Sequence, residues 1–182
     1  MYGIDLLVQE HKNIIAYTEF MRRLCCDILE GKEVDINAFR ECVDFGRNYA
    51  DKHHHGKEEK ILFRHMLEKL GPVAEKLVRN GMLVEHDLGR YHMGELITAL
   101  DQYEKEQTVE NKLAIITNAS GYADLLKRHI EKEDAVCYSF ALRMLSDEDK
   151  KAIDHETEEF EKEESLVNVQ NQYLSWLETK RN

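Results

Sequence analysis

His54-His55-Gly56-Lys57-Glu58-Glu59 and His129-Ile130-Glu131-Lys132-Glu133-Asp134 share one pattern, H-x-x-K-E-[ED]. Positions i and i+4 of a helix lie one above the other, about 6 Å apart along the axis. The imidazole and the fourth-following carboxylate of each stretch can therefore reach a common ion. A second pattern, Glu10-His11 and Glu85-His86, precedes each motif. His11 to His54 is 43 residues, and so is His86 to His129; His11 to His86, His54 to His129 and Glu58 to Glu133 are each 75. The chain is thus one pattern used twice. Each copy reads as a helical hairpin, and two hairpins make a bundle with His11, His54, Glu58, His86, His129 and Glu133 converging on its interior.

A lone H-x-x-x-E is most often an ordinary surface pair along a helix. Repetition of both patterns in the same order and spacing favours metal binding, and burial of Glu58 and Glu133 without a partner would be costly. Four imidazoles and two carboxylates without a thiolate suit iron or manganese, with zinc as a substitute. Six side chains are too few to saturate two octahedral ions and too many for one zinc. Two ions sharing both carboxylates as bridges, with oxo, hydroxo or water completing the shell, satisfy the count and leave positions open for small ligands.

The rest of the chain agrees with an all-α, up-down-up-down four-helix bundle carrying an additional C-terminal helix. There is one proline, Pro72, and apolar residues recur at helical spacing. Ile4, Leu7, Val8, Ile14, Ile15 and Met21 mark a first helix ending near Gly31. A second begins after Asp35, an N-cap residue, and runs to Gly71-Pro72. Residues 73–105 form a third, with an irregularity at Asn80-Gly81, and about 110–144 a fourth after a turn at Gln107-Thr108. Ser146-Asp147-Glu148-Asp149 signals the start of a fifth helix, in which Ile153, Phe160, Val167 and Leu174 recur every seven residues. Residues 1–145 are expected to form the metal-binding bundle, and 146–182 an acidic helix packing on it or on a partner subunit.

The chain has 182 residues and a formal charge of −11. Residues 146–182 hold 11 acids and 5 bases, over half of that excess. Such a balance argues against nucleic acid or an anionic membrane surface as a partner. No apolar run reaches membrane-spanning length and no signal-peptide layout is present, so the expected location is cytoplasmic. Cys25, Cys26, Cys42 and Cys137 form no C-x-x-C pair and read as free, buried thiols. There is no nucleophilic triad, phosphate loop or nucleotide motif.

With Ile61-Leu62-Phe63 and Glu85-His86-Asp87-Leu88-Gly89-Arg90, the two motifs make the sequence resemble the hemerythrin-like (HHE cation-binding) proteins over about residues 4–145, with a similar look to about 164. The resemblance implies a four-helix bundle around a non-haem diiron centre. Glu58 and Glu133 would bridge the irons, and His11, His54, His86 and His129 would be terminal ligands. Two departures place the chain nearer the iron-sensing and iron–sulfur-repair branches than the oxygen carriers. Arg90 stands where the oxygen carriers have a second histidine on the third helix, and the last motif is H-x-x-x-E rather than H-x-x-x-x-D. The cysteine-containing extra domain of some repair proteins is missing, and the E-x-x-H of ferritin-like centres does not occur.

Other residues have two readings. His55 and Glu59 form a second i,i+4 pair, but Ile130 occupies the position matching His55, so the repeat favours His54 and Glu58. His92 reads as a surface residue, with an extra metal ligand or an outer role at the metal as the alternatives, and His53, His65 and His155 as solvated. Gly89 either leaves room for a bound ligand or permits close packing; Tyr122 either bonds that ligand or belongs to the core. Lys57 and Lys132 are expected to face solvent, while Glu10 and Glu85 point to a neighbouring helix or water, or hold another residue's imidazole. The function expected is binding of, or reaction with, dioxygen, peroxide or nitric oxide in sensing or stress protection. Alternatives are an iron store, donor or repair factor, and a metal-stabilised interaction module; a homodimer or redox partner protein is compatible with any of them.

Overall fold

The computed structural model describes residues 1–180, with the side chains of 164–169 outside the description. Six helical rods follow one another and no strand occurs among the described residues. They are α1 (Tyr2–Leu29), α2 (36–69), α3 (71–105), α4 (109–144), α5 (Asp147–Lys162) and α6 (Glu164–Lys180).

The stops and starts have local causes. Gly31 follows α1 at φ +92°, a left-handed conformation that glycine adopts without steric cost. Asp35, Thr108 and Ser146 cap α2, α4 and α5, each side chain accepting from the backbone N–H three residues on. Pro72 sits in the first turn of α3, where its missing N–H costs nothing.

Two apolar blocks show the topology. One contains Ile14, Met21, Phe39, Phe45, Leu96, Leu100, Ile115 and Leu126. The other contains Ile4, Leu7, Leu62, Met66, Val78, Met82, Cys137 and Ala141. Along α1 the chain passes from the second block to the first, along α2 from first to second, and α3 and α4 repeat the alternation. The bundle therefore runs up-down-up-down. On each helix the predicted ligand residues fall between the blocks, at a polar layer midway along the bundle.

Helical regularity lapses at that layer. Hydrogen bonding widens to the i→i+5 π pattern at Gly46–His55, Glu58–Leu62, Val78–Met82 and Glu133–Cys137. The turns opened by Glu58 and Glu133 are themselves 75 residues apart, so the repeat extends to backbone geometry. Val78–Met82 contains the predicted irregularity at Asn80-Gly81. π-turns are uncommon and concentrate at functional sites.

The single C-terminal helix expected from Ser146 onward is instead two. Glu163 takes an extended conformation (φ −60°, ψ 114°) and separates α5 from α6. The break lets both pieces lie on the bundle. α5 meets α1 where Gly3 permits close approach: a Cβ there would lie 2.9 Å from Thr157 Oγ1, and Asp154 accepts from the Gly3 N–H at 2.8 Å. In α6, Tyr173 and Leu177 are buried, and Trp176 lies against Phe45 and Phe20. Val167 of the predicted stripe is outside the described side chains. No described helix is long and apolar enough to cross a membrane. All four cysteines are free; Cys26, against expectation, is exposed, because helical rotation puts only one of two adjacent residues on the core face.

Candidate metal centre

His11, His54, Glu58, His86, His129 and Glu133 come together in the polar layer, none more than 2% exposed. One ring nitrogen or carboxylate oxygen from each of His11, His54, Glu58 and Glu133 lies within 4.8 Å of the others. A second group, His55, Glu58, His86 and His129, meets the same limit. Glu58 belongs to both. Glu133 Oε2 is 3.3 Å from His11 Nε2, and its Oε1 is 3.1 Å from His129 Nε2, so this carboxylate also spans the two groups.

Each imidazole is held from behind. Nδ1 of His11 donates to Asp134 (2.8 Å), of His54 to Glu10 (2.9 Å), of His86 to Glu59 (2.8 Å) and of His129 to Glu85 (2.9 Å). Asp134 and Glu59 are equivalent positions of the repeat, as are Glu10 and Glu85. With Nδ1 donating, the lone pair of each neutral ring is on Nε2, facing the cluster. The His, Lys and final acidic letters of H-x-x-K-E-[ED] therefore each have a partner, since Lys57 pairs with Glu10 and Lys132 with Glu85.

Donor type, spacing and burial all fit a cation. His54 Nε2, Glu58 Oε2 and both oxygens of Glu133 are buried without a hydrogen-bond partner. Unpartnered buried acceptors cost free energy, and a cation among them removes that cost. Separations of 3.3 Å (His11 Nε2–Glu133 Oε2) and 3.1 Å (His129 Nε2–Glu133 Oε1) match the roughly 3.0–3.4 Å between neighbouring donors on a metal with bonds near 2.1 Å, and His86 Nε2–Glu58 Oε2 at 3.5 Å lies just beyond it.

Protonation in the metal-free cluster is uneven. Burial and the facing Glu133 push Glu58 well above the carboxylate range, and Tyr138 Oη donates to its Oε1 at 2.5 Å. Burial also works against ionised Glu133, but His129, His11 and His86 outweigh it and hold that carboxyl low. Burial would depress His11, yet Asp134 and Glu133 raise it to about 9. In His54 burial wins over Glu10, and the ring falls to about 4.

Several expectations need correction. His55 points into the cluster despite the mismatch with Ile130, stacked on His86 at 3.8 Å between centroids and 9° between planes. His53 and His65 are buried rather than solvated: His53 Nε2 meets Glu10 at 3.1 Å, and His65 Nε2 meets Glu156 of α5 at 2.9 Å. His155 is exposed, as expected. Lys57 is fully buried because α5 covers it. Its Nζ lies 2.6 Å from Glu161 and 3.0 Å from His53 Nε2, and Glu10 completes the ring. The trio Glu10, His53 and Glu161 thus already surrounds an internal cation. Lys132 is half exposed and pairs with Glu85. His92 stays away from the cluster, facing Asn118 Oδ1 at 3.3 Å.

A cavity of about 350 Å³, lined by Gly46, Gly89, Met93, Tyr122 and Arg90 among others, reaches His55 and His86. A Cβ on Gly89 would make ordinary contact with Tyr122 at 3.5 Å. Gly89 thus lines the cavity, and a Cβ there would fit without displacing its neighbours, so helix packing does not demand a glycine.

No curated protein matches the chain. The Hemerythrin HHE cation binding domain matches residues 2–141, nearly the whole four-helix bundle, and the chain belongs to that family of cation-binding proteins.

Proposed function

We propose that the polar layer holds two metal ions, iron as the native choice, and that the protein binds or reacts with a small redox ligand such as dioxygen, peroxide or nitric oxide. Glu58 and Glu133 would be shared between the two ions, with His11 and His54 holding one and His86 and His129 the other. The observation that carries this reading is the convergence of fully buried imidazole and carboxylate donors from four helices, with those of His54, Glu58 and Glu133 left orphaned. Imidazole and carboxylate without thiolate suit iron or manganese, with zinc as a substitute. Iron bound there supplies the electron change that protein side chains lack.

The chain's own groups do the rest. Glu10, Glu59, Glu85 and Asp134 fix the imidazoles as Nε2 donors, which keeps the site assembled before any ligand arrives. Tyr138 donates its hydroxyl to Glu58 Oε1 and restrains that carboxylate's rotation. The cavity beside Gly89 gives a path to the His86 side.

Metal analysis with a visible spectrum of the air-exposed and reduced protein tests this. Two irons per chain and an absorption band that shifts on adding azide, peroxide or nitric oxide are expected. His54→Ala and Glu58→Ala should each abolish two-metal loading. A chain that takes up no iron, or iron with no ligand-sensitive band, overturns the reading. Iron stripped by a chelator within minutes from a folded chain would point instead to storage or donation.

A further inference from the structure

We propose that His55 is a ligand of the second metal position, giving it three imidazoles where the first has two. The assignment rests on the two-metal reading above and adds to it a residue outside the repeated pattern.

The first support is the partner of its Nδ1. Among the nine histidines, five have Nδ1 against a carboxylate: His11, His54, His86 and His129, as described, and His55, whose Nδ1 faces Asp51 at 3.3 Å. A carboxylate on one ring nitrogen orients the other and raises its basicity toward a metal. The remaining histidines lack this arrangement. Nδ1 of His53 and of His65 has no partner, Nδ1 of His92 faces an amide oxygen, and His155 is exposed. The criterion thus selects the five rings gathered in the polar layer.

The second is position. His55 is 3% exposed and shares the 4.8 Å group with Glu58, His86 and His129. Its ring stacks on His86 and stands edge-on to His129 at 5.7 Å. In a regular helix His54 and His55 would diverge by about 100°. Here the π-type turn Gly46–His55 ends on them, and both rings are buried, His54 against Glu10 of α1 and His55 against His86 of α3.

The third is a paired exchange between the halves. The counterpart of His55 is Ile130, and the counterpart of Phe63 is Tyr138, each 75 residues on. At the first metal position the Tyr138 hydroxyl stands 3.3 Å from His11 Nε2. At the second, Phe63 lies against His86 at 5.9 Å between centroids, and the extra polar group is His55. Arg90 belongs to the second half alone, since its counterpart is Ile15. Its guanidinium lies 2.8 Å from Asp51 and 2.6 Å from Glu59, tying together the carboxylates behind His55 and His86.

The test is anaerobic titration of ferrous iron into the full chain, with release to a chelator followed in time. The wild type and His92→Ala should bind two irons. His55→Ala and His55→Gln, with helicity checked by circular dichroism, should hold one iron as the wild type does and the other at least about tenfold more weakly. Wild-type retention of both irons in folded His55 variants overturns the assignment alone. A wild type that binds fewer than two overturns the two-metal reading and this assignment with it. A readout without mutation is the cobalt(II)-loaded wild type: five strongly shifted, exchangeable imidazole N–H resonances are expected, and four would overturn the assignment.

Discussion

Asp134 stands 2.8 Å from Nδ1 of His11, joining the last letter of the second motif to the first helix. Glu59 does the same for His86 at 2.8 Å. Each half of the repeat therefore orients a histidine of the other half, and the two hairpins are interlocked at the metal layer. Asp134→Asn and Glu59→Gln should each lower metal affinity about 10–100-fold, the range seen when a ligand histidine loses its carboxylate partner. Competition with a chelator of known affinity measures this, and unchanged affinity in both would count against the interlock.

The cavity beside Gly89 allows access to be separated from binding. Gly89→Leu places its side chain into the space that reaches His55 and His86. Metal content should stay at the wild-type level, while the association rate of azide with the loaded protein falls at least about tenfold, the effect of a barrier increase of about 1.4 kcal/mol. Stopped-flow absorbance distinguishes a blocked path from a damaged site, because only damage also changes iron content.

Lys57 offers a test of how α5 is held. Its ammonium group lies among Glu10, Glu161 and His53. Lys57→Met leaves buried Glu10 charged without its cation, and removal of one member of a buried pair costs about 3–5 kcal/mol. Glu161→Gln should cost less, since Glu161 is the more exposed partner. Urea unfolding of the metal-free chain gives both values, and equal stability of Lys57→Met and wild type would show that this contact is idle.

A pH dependence follows from Glu156, which joins α5 to α2. Burial pushes its carboxyl up, but His65 and Arg64 outweigh this and hold it below the usual range. A carboxyl depressed on folding stabilises above its unfolded pKa of about 4.3, and the effect is lost as pH falls through the folded value. Glu156→Gln should therefore melt below wild type at pH 7, by less than about 1 kcal/mol for so exposed a pair. The two should converge below about pH 4. A gap that persists at pH 3 would show that shape, not charge, decides this contact.

Helix type, order and antiparallel pairing were legible in the sequence because they depend on near-neighbour chemistry and on one-dimensional spacing. Asp35, Thr108 and Ser146 cap helices through bonds three residues long. The repeat of 75 residues placed Glu58 and Glu133 at equivalent points before any contact was known. The repeated Lys and acidic letters were visible too, but their partners were not. Glu10 lies 47 residues from Lys57, and His11 lies 123 from Asp134.

Tertiary structure alone decided which polar residues of α2 face inward. A 100° step per residue sends His54 and His55 to different faces and Lys57 to solvent. The π-type turns at Gly46–His55 and Glu58–Leu62 break that rule, and α5, lying over Lys57 and His53, buries what the pattern left exposed. The halt at Glu163 has the same origin, since only the bundle against which α5 and α6 pack sets how long a straight helix can remain useful. Sequence periodicity determined the scaffold and the repeated ligand-type residues. Packing between distant helices determined the asymmetry between the two halves, because side-chain burial there depends on contacts that no local spacing encodes.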